Sequence, residues 1–401
     1  STISVAAVVM SLARLLLPLA DEYRGRAEQW VSVQLGQPVR IGKMDARLIG
    51  ASPALIFSDV RFQDDSNAGA RFKTLHFSFD PFASVRNFQP VLDQVVIGGA
   101  RLSVERLRSG QFRIRGLALE GAPAGADSDT GGLGTALSSQ PEVIIRDSRI
   151  SWRDYRRGGH SFTFDGVEIE LNNRGDRHRL NAEFRLPEEL GGLVRLAVDL
   201  EGELLRPDLG RGTVHVNAQR WRPGPWLRAL PHSNWEAVQG EADIALWAHW
   251  NAQELTSLSG SVAGRGLQLP GSEGPLSISE VSAKGRWQRL EGGWRLEVAD
   301  LDMKRPGSHW QGSRIQAFAS SDGQRFRLQA NRLLLADLAE LAGVWPGLPA
   351  DYRQWLAKAA PTGELSNVRM SREGDGFAMQ ADGVDLGMKP MDQMPGFSGI
   401  D

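Results

Sequence analysis

Catalysis needs nucleophiles, acid–base pairs, metal ligands or a phosphate cradle at workable spacing, and this chain offers few of them. Its seven histidines, at 76, 160, 178, 215, 232, 249 and 309, are scattered, with no H-E-x-x-H or H-x-H pair to hold a metal. His215 lies between Val214 and Val216, and His249 between Ala248 and Trp250, so strand alternation sends each to a polar face. No G-x-S-x-G elbow occurs. The stretch GQPVRIGKM (36–44) imitates a phosphate loop, but five residues separate its glycines, Met44 follows Lys43, and a strand pattern follows. Asp64–Asp65 and Glu188–Glu189 sit in turn-like contexts and read as solvated turns, not as catalytic carboxylates. Cysteine is absent, which removes disulfides, thiolate metal sites and thiol nucleophiles while leaving the compartment open. Trp226, Trp235, Trp247, Trp250, Trp287, Trp294 and Trp310 could be stacking platforms for sugars, or core and sheet-edge packing. The residues therefore predict no catalytic group, no metal, no cofactor and no enzyme.

The elements that would position any site are strands. After Pro38 the apolar pattern has period two, in ALIFSDVRF (54–62), FKTLHFSFD (72–80), VVIGGARLSVERL (95–107) and QFRIRGLAL (111–119), and then through 143–332. Two stretches repeat one phrase: Val95, Ile97 and Arg101–Leu102–Ser103 match Val143, Ile145 and Arg149–Ile150–Ser151. Between them the small polar residues of 120–142 predict a mobile linker loop. Helical spacing is confined to 19–35, a turn or two in 221–231, and an insertion at 333–361, after which 362–401 returns to strands. About fifteen strands with one apolar face each exceed what so few helices can cover. A sandwich or a curled barrel or groove must result, and an open concave face invites an apolar filling that is not protein.

With 401 residues, 41% hydrophobic and 23% charged, the chain is globular in composition, and a net charge of −2 gives no pull on nucleic acid. Residues 1–13 carry no charge, Arg14 follows, and LLLPLA runs to Ala20. The segment reads as the end of a transmembrane anchor, through Val5, Val8, Val9, Leu12, Leu15 and Leu16, with a core helix and a signal peptide as the other readings. The start at Ser1 and the ending MPGFSGID predict a section of a longer protein.

The segment RLLLPLADEYRGRAEQWVSVQLGQPVRIGKMDARLIGASPALIFSDVRFQD (14–64), followed by the V-x-I-x-x-(A/S)-R-[LI]-S hairpins, resembles the start of YhdP-type proteins of the AsmA-like family, which are related in architecture to TamB. The GQPVRIGKMDARLIGASPALIFSDVRF piece is the more specific part; the hairpin phrase is generic. The resemblance implies an inner-membrane anchor in Gram-negative bacteria, a periplasmic body built as a repeating β-groove with a hydrophobic interior, and carriage of phospholipid towards the outer membrane. The expected fold is thus mostly β, an elongated, curled antiparallel sheet. The expected divisions are an anchor end (1–20), a capping helix (21–36), groove sections at 37–119 and 143–332 separated by the linker, a helical insertion (333–361) and a further β section (362–401). Expected partners are phospholipid, the inner membrane, and inner- or outer-membrane proteins, but no nucleic acid. Alternation nominates Leu75, Phe77, Phe79, Leu102, Val104, Ile150, Trp152, Phe162, Phe164, Leu196, Val198, Leu200, Val214, Val216, Ile244, Leu246, Leu296 and Val298 as groove-lining; each could equally be sealed core. Two alternatives stand beside lipid conduction: a periplasmic scaffold for envelope proteins, and a carbohydrate-binding or carbohydrate-cleaving protein using the tryptophans.

Overall fold

The structure is a computed structural model that describes residues 24–35, 38–50, 52–62, 70–108, 112–115, 138–155, 160–204, 210–227, 238–270, 274–344, 348–391 and 395–401. The expected anchor (1–20) and most of the expected linker (120–142) lie outside the described residues. No helix among the described residues is long and apolar enough to cross a membrane. The fold is mostly β and divides into two compact units, residues 1–187 with 193–212, and 188–192 with 213–401.

The first unit begins with helix α1 (Arg24–Leu35), which lies along the outer edge of β1 (Val39–Ile49). Ser32 Oγ accepts from Val39 N at 2.9 Å and Glu28 Oε1 from Ile41 N at 2.7 Å, while Arg24 donates to Gly42 O at 2.9 Å. An open sheet edge is thereby closed by side chains, which removes a template for stray strand pairing. β2 (Ser52–Phe62) and β3 (Arg71–Phe79) follow in antiparallel register. Helix α2 (Pro81–Asn87) then intervenes, which the strand pattern does not predict. Its signal is local: Asp80 caps it, accepting from Phe82 N and Ala83 N, and Pro81 supplies the first helical residue.

β4 (Leu92–Gly98) and β5 (Arg101–Arg106) form one bent strand, hinged at Gly99, and β6 (Phe112–Arg115) pairs with β5. Gly99 has φ 59°, and a Cβ there would meet the Lys73 side chain at 2.5 Å, so both backbone and space require glycine. β7 (Glu142–Asp154) pairs with β4 and β5 in parallel, and here the all-antiparallel expectation fails. The two copies of the repeated phrase lie side by side, each residue against its own counterpart: Val95 with Val143, Ile97 with Ile145, Arg101 with Arg149, Leu102 with Ile150. The physical reason is the bend at Gly99, repeated at Asp147 with φ 49°. Equivalent bends let equivalent strands nest, whereas a tight hairpin would have reversed one of them. β8 (His160–Arg174), β9 (Arg177–Arg185) and β10 (Leu193–Glu201) complete the unit as antiparallel neighbours.

In the second unit β11 (Arg211–Trp221) leads to α3 (Pro223–Leu227), which occupies part of the helical turn expected at 221–231. Then β12 (Gln239–Asn251), β13 (Glu254–Leu269), β14 (Leu276–Leu290), β15 (Gly293–Arg305), β16 (Ser308–Ser320) and β17 (Arg325–Leu334) pair in sequence order, all antiparallel. Helices α4 (Leu335–Val344) and α5 (Ala350–Ala359) follow β17. β18 (Thr362–Glu373) pairs back onto β17, followed by β19 (Gly376–Met388) and β20 (Phe397–Ile400).

Many strands carry one left-handed residue within their length: Asp59, Asp147, Gly166, Arg220, Gly266, Asp300, Gly312, Asn367 and Asp385. Register shifts accompany several of them, as at Ser148, Ser282/Lys284 and Ser366/Arg369. Each extra residue bends the strand and lets the apolar alternation restart out of phase. The residue just after the bend is buried in Val60, Ala100, Ser148, Val167, Ser313 and Val368.

Candidate functional site

Cross-strand partners share a face, so the register builds the site row by row. In the first unit one row runs Leu55, Phe77, Val95, Val143, Leu171, Leu180, Val198 over seven strands. The next runs Phe57, Leu75, Ile97, Ile145, Ile169, Ala182, Leu196. Beyond the bends lie Leu102, Ile150 and Phe164, then Val104, Trp152 and Phe162. Aromatic rings meet edge-on along this face, Phe57 with Phe77 at 5.8 Å and Phe164 with Phe184 at 5.6 Å. Phe79 pairs with Leu92 on the same face.

The second unit repeats the arrangement. A row of Leu258, Trp287, Leu296, Ala317, Leu328, Met370 and Met379 crosses seven strands. Beside it run Leu246, Gly260, Gly285, Val298 and Ile315, and then Ile244, Val262 and Ala283. His215 stacks on Trp247 with ring centroids 4.4 Å apart. That contact puts His215 on the opposite face and leaves Val214 and Val216 with Leu246.

Each unit therefore carries one apolar face many strands long, and all eighteen alternation-nominated residues fall on it. Sixteen are half-buried, Leu246 is 36% exposed, and Leu200 is sealed at 2%. The sequence reading missed Phe57, Val95, Ile97, Ile145, Ile169, Leu258 and Trp287, several of them because the bends interrupt the period of two.

Burial along the strands of the second unit is graded. At the end bearing α4 the face is sealed: Ile278, Met303, Trp310, Ala330, Leu333 and Val368 form a core, covered by Leu338 and Leu341 of α4. Arg305 fastens that helix, pairing with Asp337 at 2.5 Å and with Glu340, while Ser308 donates to Asp337 at 2.6 Å. Towards the opposite end the same face opens, with Leu258 37%, Met379 49% and Phe377 64% exposed. The first unit has a sealed cluster of its own around Val39, Ile41, Val60, Phe62, Ala70, Phe72 and Ala100, against which Leu75, Ile97 and Leu102 pack.

The other face is polar and held in register by cross-strand ion pairs, among them Arg177–Asp199 (2.7 Å), Arg195–Glu183 (2.7 Å), Arg265–Asp243 (3.1 Å) and Lys284–Asp300 (2.8 Å). The Arg177 guanidinium, hydrogen-bonded to Asp199, holds that carboxyl below its ordinary value. Such pairs are structural, since each charge already faces its opposite. Among the described residues no group of three or more metal-ligating side chains is assembled. Of the tryptophans, Trp310 is core and donates to Ser313, and Trp287 and Trp294 line the apolar face. The arrangement can bury a long apolar molecule, and its two faces assign the apolar and polar sides of each strand to different work.

Searches of curated proteins and of solved structures returned no match. A family model described as YhdP protein matches residues 1–401. The chain belongs to the YhdP family.

Proposed function

We propose that this chain is an inner-membrane-anchored periplasmic protein whose apolar trough conducts phospholipid acyl chains from the inner towards the outer membrane. The observation that carries the reading is the half-open apolar face, continuous over seven strands in each unit, with its charges paired on the reverse side. An acyl chain gains about 0.8 kcal/mol for each methylene taken out of water. It therefore needs length of apolar wall rather than a polar pocket, and a body made of repeated strands supplies length. Passage in such a trough is transfer without a bond made or broken, which asks nothing of acid–base or metal chemistry. Membrane proteins at either end are the natural donors and receivers.

Photo-crosslinking side chains at Phe164 in the first unit and Leu246 in the second test the reading. Both should capture phospholipid, and lipid should co-purify with the chain. Capture of protein alone, with no lipid retained, would refute it.

A further inference from the structure

One end of the first unit carries apolar side chains that are left exposed among the described residues. Phe82 on α2 is 69% exposed, Phe88 at its C-cap 95%, and Ile49 at the β1–β2 turn 50%. They share an end because β2 and β3 are antiparallel, with Ala54 opposite Ser78. Phe88 adopts φ 55°, a left-handed conformation that disfavours an aromatic residue. Neither burial nor backbone geometry accounts for phenylalanine there.

The platform presenting these rings is well fastened. Asp80 accepts from Phe82 N at 2.8 Å and Ala83 N at 2.9 Å, and Val91 N donates to Ser84 Oγ at 2.9 Å. The Asp80 carboxylate is engaged by the cap, and exposed Arg86 places a guanidinium on the same short helix as Phe82. Helix α1 is also oriented with respect to this end. The contacts of Arg24, Glu28 and Ser32 with Gly42, Ile41 and Val39 run α1 antiparallel to β1, so its first turn points towards the Ile49 end. The sequence ahead of Arg24 includes the uncharged stretch 1–13.

We propose that this end of the first unit rests in the interfacial layer of an anionic phospholipid membrane, with Phe82 and Phe88 at the acyl boundary and Arg86 among the phosphates. Exposed aromatics beside a cation are what that layer accepts. The inference rests on the membrane-anchored reading but not on lipid passage along the trough.

The chain has no cysteine, so single cysteines can carry a fluorophore. The full 401-residue chain, reconstituted into phosphatidylethanolamine–phosphatidylglycerol vesicles, is labelled at Phe88→Cys, at Ile49→Cys, or at Arg195→Cys on the polar face as control. Labels at 88 and 49 should shift to the blue and be quenched by brominated acyl chains, and the label at 195 should stay in water. Phe82→Ser with Phe88→Ser should keep the thermal unfolding profile and lower quenching at position 49 about tenfold. A chain that floats with vesicles yet keeps label 88 in water overturns this inference alone. Equal shielding of label 88 without vesicles also overturns it, by revealing a protein contact. A chain that fails to float overturns the anchoring as well, whatever crosslinks form at Phe164 and Leu246.

Discussion

Gly285 is the position where conduction and folding separate most cleanly. It sits mid-strand in β14, between Gly260 on β13 and Val298 on β15, with Trp287 and Ala283 flanking it on the same face. A Cβ built there meets nothing nearer than Glu297 O at 3.9 Å. Glycine inside a strand costs roughly 0.5–1 kcal/mol relative to alanine, so Gly285→Leu should leave stability unchanged or raise it by about that much. The new side chain would fill the lane between Leu246 and Val298. Displacing about three methylenes of a passing chain from apolar contact costs about 2.4 kcal/mol, or about fiftyfold in occupancy. The assay is lipid capture by photo-crosslinkers at Leu246 and Val298, with thermal unfolding followed on the same protein. Gly260→Ala is the contrasting control, because its methyl would run into the Ala245 carbonyl oxygen and the fold itself should suffer. A stable Gly285→Leu protein that captures lipid undiminished would refute the reasoning and favour a scaffold that conducts nothing.

Two further outcomes follow from buried or half-buried charge. Asp337→Ala leaves Arg305, whose side chain is 9% exposed, without its buried partner. It should cost about 3–5 kcal/mol in urea unfolding, while Arg305→Met with Asp337→Leu recovers most of the loss. Burial pushes the His76 imidazole below its ordinary value, and Arg47 and Arg146 act in the same direction. The unfolded chain then takes up the proton first as pH falls, so stability should decline from about pH 6.5 downward, and His76→Gln should flatten that decline in melts between pH 7 and 5.

Much of the fold was legible because period-two alternation is a direct imprint of a face buried on one side. Leu75, Phe77 and Phe79, or Leu196, Val198 and Leu200, needed nothing more. The misreadings cluster where a single residue changes the phase. Ile145 and Ile150 share a face although five positions apart, because Asp147 and Ser148 absorb the odd step. The sign of this is a mid-strand Asp, Asn or Gly followed by a small or apolar residue, as in Ser58-Asp59-Val60, Arg146-Asp147-Ser148 and Ser366-Asn367-Val368. Depth of burial was not legible. Leu200 and Val198 alternate identically, yet only the first is sealed, since that depends on what neighbouring strands place beside it. Helix α2 escaped because seven residues are too few to show a helical period, although its Asp-Pro start was readable.

The parallel junction of β4 and β5 with β7 bears on the order in which the first unit forms. Most other strands pair with a sequence neighbour across a short connection, which is entropically cheap and fast to close. At this junction Ala100 N finds Ser148 Oγ 48 residues away. No turn can guide that encounter. The β1–β4 ladder and the β7–β10 ladder are each able to zip up locally, and their joining should be the late, rate-setting event. Ser148→Ala, which removes the hydroxyl that greets Ala100, would then slow refolding more than it hastens unfolding.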